Sequence, residues 1–245
     1  MTLTVALRGA DGMVAASDSR ATFGDLRGLT AQNDTMTKIF ALTPHVVVTL
    51  AGTAEIGMQL MEDLGKTLAE QKVDGASSVM AAVRSHSRDK YAEWFNGWQI
   101  QANSANTAPQ RPELQMLIAG YDQADGAFTV PKIYQLVSSF DFAPMLTTTG
   151  FGLQGVPQYA LYLLNRLYLP EATIDELKAL AAYVITETAS QDGKVGGPVQ
   201  MATVTSSGGC GILSPSEVEV IVGANTTRSE QLRSSFYSSS AGTHH

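Results

Sequence analysis

The sequence predicts an α+β fold: a four-layer α-β-β-α sandwich, with two antiparallel sheets packed face to face and helix pairs outside. Three observations predict it. Along the 245 residues the apolar period switches between about two and about 3.6 residues, twice over. The helical stretches come in consecutive pairs, which does not fit the alternating βαβ of a doubly wound fold. The strand stretches come mostly as hairpins with Gly-, Asp- or Pro-containing turns.

The elements follow in order. Thr2 to Arg8 alternates apolar and polar residues, Ala10-Asp11-Gly12 turns the chain, and Met13 to Asp18 returns as a second strand. Thr22 to Thr37 is polar, carries Gly24 and Gly28, and reads as an excursion. Lys38 to Leu42 and Val46 to Leu50 form another hairpin around Pro44. The run Val46-Val47-Val48 is β-branched and suits a strand buried on both faces. After Gly52 the period becomes helical, with Ile56, Leu60, Met61, Leu64 and Leu68 on one stripe. Ser77 to about Phe95 forms the second helix on Val79, Val83, Tyr91 and Trp94, and Asn96 to Pro112 is a long loop.

Leu114 to Ala119, Phe128 to Val137 and Met145 to Thr149 are strands, the last stopped by Gly150-Phe151-Gly152. Two helices follow. The first runs from about Val156 to Leu169. The second opens at Thr173, whose pairing with Glu176 makes a capping box, and turns Leu177, Leu180, Ala181 and Val184 inward. Gly196-Gly197-Pro198 ends it. Val199 to Thr205 and Val218 to Val222 are read as closing strands. Residues 1–223 are expected to form a single domain. The Ser- and Thr-rich 224–245 is expected to be a polar, mobile tail, whose final His244 and His245 could be the stub of a purification tag.

Composition excludes several function classes. Sixteen Lys and Arg against 23 Asp and Glu leave a net charge of −7, with no basic stripe for nucleic acid. Hydrophobic residues reach 44%, which excludes intrinsic disorder. No apolar run is long enough to span a bilayer, and the first residues lack the features of a secretory signal. A single cysteine, Cys210, permits no internal disulfide, and a reducing, cytoplasmic location is expected. No His spacing suits a metal, so neither metal nor cofactor is expected. Charged residues are only 16%, well below the usual content of about 25%. A large core, or surface covered by copies of the same chain, would account for that.

Thr2 sits directly after the initiator Met. Removal of Met1 would give one residue both a hydroxyl nucleophile and a free α-amine, a base with an unperturbed pKa of about 7.7–8.0. Alone this signal is weak, because many proteins begin Met-Thr. The surroundings add to it. Thr2-Leu3-Thr4-Val5-Ala6-Leu7 is followed by Asp11-Gly12-Met13-Val14-Ala15-Ala16-Ser17-Asp18-Ser19-Arg20-Ala21-Thr22. Further on come Lys38-Ile39-Phe40, then Val48-Thr49-Leu50-Ala51-Gly52-Thr53, and later Asp192 before Gly196-Gly197.

In this order and spacing, these segments resemble proteasome β-type subunits and the bacterial HslV protease, from about Thr2 to Val222, with a divergent bacterial, Anbu-like branch as one candidate. The resemblance implies an Ntn-hydrolase fold and a threonine peptidase in a self-compartmentalising oligomer, a ring or an open spiral, acting on peptide or unfolded protein. An ATPase regulator stays open. It implies Thr2 as nucleophile, Lys38 as the cation beside it, Asp18 as the partner of Lys38, Gly52 as an oxyanion-hole donor, and Asp192 as a further catalytic residue. It also implies an extended substrate strand along Thr22 and the Gly52 region, and a specificity pocket at Ala21, Met36, Leu50, Ala54 and Met58. All five pocket residues are apolar, so an apolar preference is expected.

Two departures stand out. Phe151 and Val195 occupy the positions of two serines that the family uses near the nucleophile, and Thr148 or Thr149 are the neighbours that could substitute. Two readings compete with the peptidase: a catalytically silent structural subunit, and a related amide hydrolase or transferase.

Overall fold

In the computed structural model of the chain, the residues described are 2–25, 28–95 and 111–237. Most of the expected Asn96–Pro112 loop and the last eight residues lie outside them. Twelve strands and five α-helices are present among the described residues. The first half contains β1 (Leu3–Arg8), β2 (Met13–Ser17), β3 (Ala21–Asp25), β4 (Gly28–Asn33), β5 (Ile39–Thr43) and β6 (Val46–Gly52), then α1 (Ala54–Gln71) and α2 (Ala76–Phe95). The second half contains β7 (Leu114–Ala124), β8 (Ala127–Val137), β9 (Met145–Leu146) and β10 (Phe151–Gly155), then α3 (Pro157–Leu167) and α4 (Ile174–Gln191), and finally β11 (Gln200–Thr205), β12 (Gly209–Ile212) and α5 (Pro215–Tyr237).

Two five-stranded antiparallel sheets result, in the orders β10-β1-β2-β11-β12 and β5-β6-β7-β8-β9. Side-chain alternation along the strands then builds three apolar layers. Leu3, Val5, Leu7 and Val14 turn outward onto Leu164, Leu177, Ala181 and Ile185 of α3 and α4. Val46, Val48 and Leu50 turn outward onto Leu60, Leu64, Val79 and Val83 of α1 and α2. Between the sheets lie Ala6, Ala15, Val47, Leu117, Ala119, Ile133 and Ala202. This is the predicted four-layer sandwich.

The inter-sheet layer changes character along its length. Ala202, Ala15, Ala6 and Gly152 form one small-residue rung across the first sheet. The next rung facing the same way is Gln200, Ser17, Thr4 and Gln154, polar throughout. The second sheet answers with Thr49 and Gln135 on one rung and Gln115 on the next. Here Gln154 donates to Gln135 across the gap at 3.1 Å. One end of the sandwich is therefore apolar and the other polar.

Four expectations are corrected. The excursion after Thr22 is a two-stranded ribbon, β3 against β4, outside both sheets, and its polar sequence carries no apolar alternation to announce it. The segment after Gly150 is not a stop but strand β10, lying along the edge of β1. Cys210 lies on β12, an edge strand only four residues long. Val218–Val222 is helical, and α5 continues to Tyr237 through residues expected to be tail. Its alternating valines mimicked a strand. The overlooked signal was Ser214-Pro215-Ser216-Glu217, in which Ser214 and Glu217 exchange cap hydrogen bonds and Pro215 takes the first helical position. Asn225 then anchors α5 by donating to the Ala179 carbonyl at 2.7 Å.

Close approach of β6 and β7 depends on Gly120, where a Cβ would run into the His45 carbonyl oxygen. Gly120→Ala is expected to lower the stability by about 1–3 kcal/mol, the usual cost of overpacking. Urea denaturation monitored by tryptophan fluorescence measures it.

Candidate active site

Antiparallel pairing brings the site together. Thr4 pairs with Ser17, so β1 begins where β2 ends, and Thr2 lies beside Asp18. Ile39 pairs with Thr49, so Lys38 enters β5 where β6 runs out to Leu50 and Gly52. The two sheets then face these ends toward each other at the polar end of the layer.

Lys38 Nζ donates to Thr2 Oγ1 at 2.6 Å, to Asp18 Oδ1 at 2.9 Å and to the Arg20 carbonyl at 2.6 Å. Three acceptors saturate the ammonium. All three side chains are enclosed: Thr2 is 4% exposed, Asp18 0% and Lys38 3%. Asp18 Oδ1 also accepts from Leu3 N–H at 3.1 Å, and Oδ2 accepts from Gly196 N–H at 3.0 Å and Arg20 N–H at 3.3 Å. A buried carboxylate with this many donors is held in one orientation.

Burial dominates the electrostatics. It pushes Lys38 below the ordinary lysine value, against the pull of Asp18. It likewise pushes the Asp18 carboxyl up, against Lys38 and the Gly196 and Leu3 N–H groups. An ion pair in water would move both groups the other way. Here desolvation outweighs attraction, as it commonly does for enclosed pairs. The site therefore holds a lysine that gives up its proton more readily than usual, touching a hydroxyl.

Neighbouring residues brace the arrangement. Ser19 and Arg20 N–H groups both donate to the Gly196 carbonyl, at 3.1 and 3.0 Å, while Gly196 N–H serves Asp18. Arg20 forms a two-pronged bond to Asp34, at 2.8 Å on each prong, which holds the Asp34 carboxyl below its usual value. The same guanidinium donates to the Gly193 carbonyl at 3.1 Å. Gly155 has φ +93°, and a Cβ there would overlap the Thr2 carbonyl oxygen, which accepts from Val156 N–H at 2.9 Å.

A small pocket of about 10 Å³ opens beside Thr2 and Lys38, walled by Thr37, Leu50, Ala51, Gly52, Thr53, Ala54 and Leu114. That is about the least space that holds one water. Gly52 has φ +102° and stands directly before Thr53 and α1, and a Cβ would collide with the Glu113 carbonyl. The positive end of the α1 dipole thus faces the same pocket.

The expected residues separate into groups. Thr2, Asp18 and Lys38 meet directly, and Gly52, Leu50 and Ala54 wall the adjoining pocket. Ala21 and Thr22 open β3 opposite Asn33 and Gln32. Met36 is half-buried and tied by its N–H to the Ser19 carbonyl. Met58 is exposed on α1, one turn beyond Ala54. Asp192 is not bonded to Thr2, Lys38 or Asp18. It caps the end of α4, accepts from Lys194 N–H at 2.9 Å, and starts the loop that delivers Gly196.

Phe151 pairs with Leu7, four residues along the strand from Leu3, and packs edge-on against Tyr168. Gly155, opposite Leu3, is the β10 residue beside Thr2, and Phe151 lies away from it. Val195 is buried in the α3–α4 core. Thr148 and Thr149 are exposed, and Thr149 bonds only the Phe151 carbonyl. The residues missed from sequence are Gln115, Gln200 and Gly155. Their signal was faint: polar or flexible positions at strand ends. Among the described residues, no group of three or more His, Cys, Asp or Glu is placed to hold a metal, and no helix is long and apolar enough to cross a membrane.

Removing one partner of an enclosed pair strands the other. Lys38→Met is expected to lower stability at pH 7 by about 3–5 kcal/mol. Without Lys38, the Asp18 carboxyl rises further, so the folded variant binds a proton the unfolded chain releases. That contribution is present at low pH and lost as pH rises through the folded value, so the deficit shrinks toward acid. Asp18→Asn added to Lys38→Met is expected to recover part of it. Urea curves between pH 5 and 8 measure all three.

The proteasome subunit family matches residues 2–204. The proteasome subunit beta of Methanosphaera stadtmanae is 28% identical over 209 residues, 84% of this chain and 88% of that protein. That of Methanothermobacter thermautotrophicus is 27% identical over 220 residues, covering 89% and 92%. Among solved structures, the helical assembly of the Anbu complex from Pseudomonas aeruginosa superposes with a TM-score of 0.73 at 18% identity, over 96% of this chain and 95% of that one. The match spans Thr2, Asp18, Lys38 and the Gly196 loop, and on it the chain belongs to the proteasome subunit family.

Proposed function

We propose that this chain is a threonine-type peptidase acting after Met1 is removed. The observation that carries the reading is the 2.6 Å bond from an enclosed Lys38 ammonium to Thr2 Oγ1. Thr2 Oγ attacks the scissile carbonyl carbon, and its proton passes to the freed α-amine. Lys38 stabilises the developing alkoxide, and Asp18 orients Lys38. The Gly52 N–H, at the start of α1, faces the oxyanion. Collapse breaks the C–N bond, the proton moves from the α-amine to the departing amine, and an ester remains on Thr2. Water, deprotonated by the same amine, hydrolyses the ester. Asp192 acts at one remove, by shaping the loop that delivers Gly196.

Substrate adds as a strand along Thr22 and the Gly52 region. Ala21, Met36, Leu50, Ala54 and Met58 give the pocket its apolar character. Among the described residues the Thr2 hydroxyl is bonded by Lys38 and by no side-chain hydroxyl, which favours one second reading: a silent structural subunit. The fold match to Anbu supports an Anbu-like branch, and cytoplasmic action on peptide or unfolded protein accompanies the peptidase reading. Copies of the chain assemble into an open spiral or a ring. Tyr159, Tyr162, Leu167 and Leu169 at α3 stay largely exposed, as do Leu232 and Phe236 on α5. Leu167 and Leu232 line one shallow groove between the two helices, and exposed apolar surface there suits a contact between subunits.

Two experiments test these proposals. Intact mass is expected to show loss of Met1, and a β-lactone or epoxyketone probe is expected to add to Thr2. Thr2→Ala takes up no probe, and Lys38→Ala slows the addition on the order of a hundredfold or more. A chain without Met1 that never reacts leaves the structural-subunit reading. In sedimentation velocity the chain is expected to run as an oligomer; a monomer at micromolar concentration overturns the assembly proposal.

A further inference from the structure

Two glutamine side chains cross the gap between the sheets at the site, one in each direction. Gln200 belongs to β11 of the first sheet and pairs with Ser17, next to Asp18. Its amide reaches the other sheet's approach segment: Oε1 accepts from Lys38 N–H at 2.9 Å, and Nε2 donates to the Met36 carbonyl at 2.6 Å. The Lys38 carbonyl, in turn, accepts from Leu50 N–H at 2.9 Å within the second sheet. The Lys38 peptide is thus clamped from both sheets. Gln115 belongs to β7 of the second sheet. Its Oε1 accepts from Gly155 N–H of the first sheet at 2.8 Å, and its Nε2 is held by Glu113 Oε1 at 2.6 Å. Gly155 pairs with Leu3, and the next N–H, of Val156, holds the Thr2 carbonyl.

We infer that Gln200 and Gln115 are positioning residues that set the separation of Thr2 and Lys38. Apolar contact between sheets tolerates sliding, because it is non-directional. Hydrogen bonds are directional and fail when distance or angle drifts. The nucleophile rides on one sheet and the ammonium's backbone on the other, so a slide between sheets changes the Thr2–Lys38 distance directly. Each sheet sends one amide to the other sheet's site segment, and the pair blocks that slide. The inference rests on the catalytic reading only for its kinetic consequence; its geometric content concerns the placement of Lys38.

The test uses Gln200→Met and Gln115→Met, which keep the side-chain length and remove the amide. Asn225→Leu, which removes the anchor of α5 remote from the site, serves as a control for lost stability. With 13C-labelled lysine, the Lys38 ionisation is followed by NMR, and probe addition to Thr2 is timed across pH. In both glutamine variants the Lys38 midpoint is expected to move up toward the ordinary lysine value, as loosening admits water. Probe addition is expected to slow on the order of tenfold or more, as misplacement by an ångström does elsewhere. Asn225→Leu is expected to lower the melting temperature and to change neither readout. Lys38 titration unaltered in both glutamine variants overturns the inference, and so does an equal shift in Asn225→Leu. If the unaltered protein takes up no probe, the peptidase reading falls, while the titration still decides the role of the two glutamines.

Discussion

A lysine ammonium enclosed between two sheets is the interaction on which the rest of this structure depends. Removing it from water is costly, and the chain offsets that cost by surrounding it with three acceptors, one of them a carboxylate. The carboxylate needs donors in its turn, which explains why Gly196 and Leu3 offer it their N–H groups. Each requirement recruits another segment. The loop after α4 is held to the strand end of Asp18 by Arg20, and Arg20 is held by Asp34. What looks like a list of contacts is one chain of consequences from one buried charge.

The same constraint explains why the layer between the sheets is not uniform. Small residues such as Ala6, Ala15 and Ala202 let the sheets approach. That closeness puts Lys38 within reach of Thr2. Toward the site the rungs carry glutamine, threonine and serine beside Leu117 and Ile39. Gln200 and Gln154 use their amides to bond the opposite sheet's segments, whereas Thr4 Oγ1 and Thr49 Oγ1 find no partner among the described residues. Polar side chains at this end also give the two sheets directional contacts that hydrocarbon cannot provide.

The chemistry of the pocket follows from its position. Gly52 closes β6 in a backbone conformation that suits glycine, and α1 begins two residues later. The strand therefore ends, the dipole begins and Thr2 stands within one small space. Leu50 belongs both to the core under α1 and to the pocket wall, so the pocket and the core share a residue.

Much of this was legible in the chain itself. The period of apolar residues named the layers, and Thr173 with Glu176 marked a helix start that the structure bears out hydrogen bond by hydrogen bond. Thr2, Asp18 and Lys38 were visible because the segments that carry them resemble those of proteasome β-type subunits in order and spacing; the Met-Thr start alone was a weak signal. Other parts were not legible. The valines of α5 alternate like a strand, and the cap at Ser214 and Glu217 together with packing against α4 makes them helical. Gln115 and Gln200 have no local signature, because a glutamine at a strand end is usually solvated. Their meaning arises when register places each opposite a peptide of the other sheet. Sequence by itself determined the sandwich, since periodicity is a local property, and singled out Thr2, Asp18 and Lys38 through the family resemblance of their segments. Tertiary structure decided which residues brace that cluster, that Asp192 caps α4 without a bond to the cluster, and that Phe151 lies far along its strand. Those outcomes depend on distances between segments remote in the chain, which no local pattern encodes.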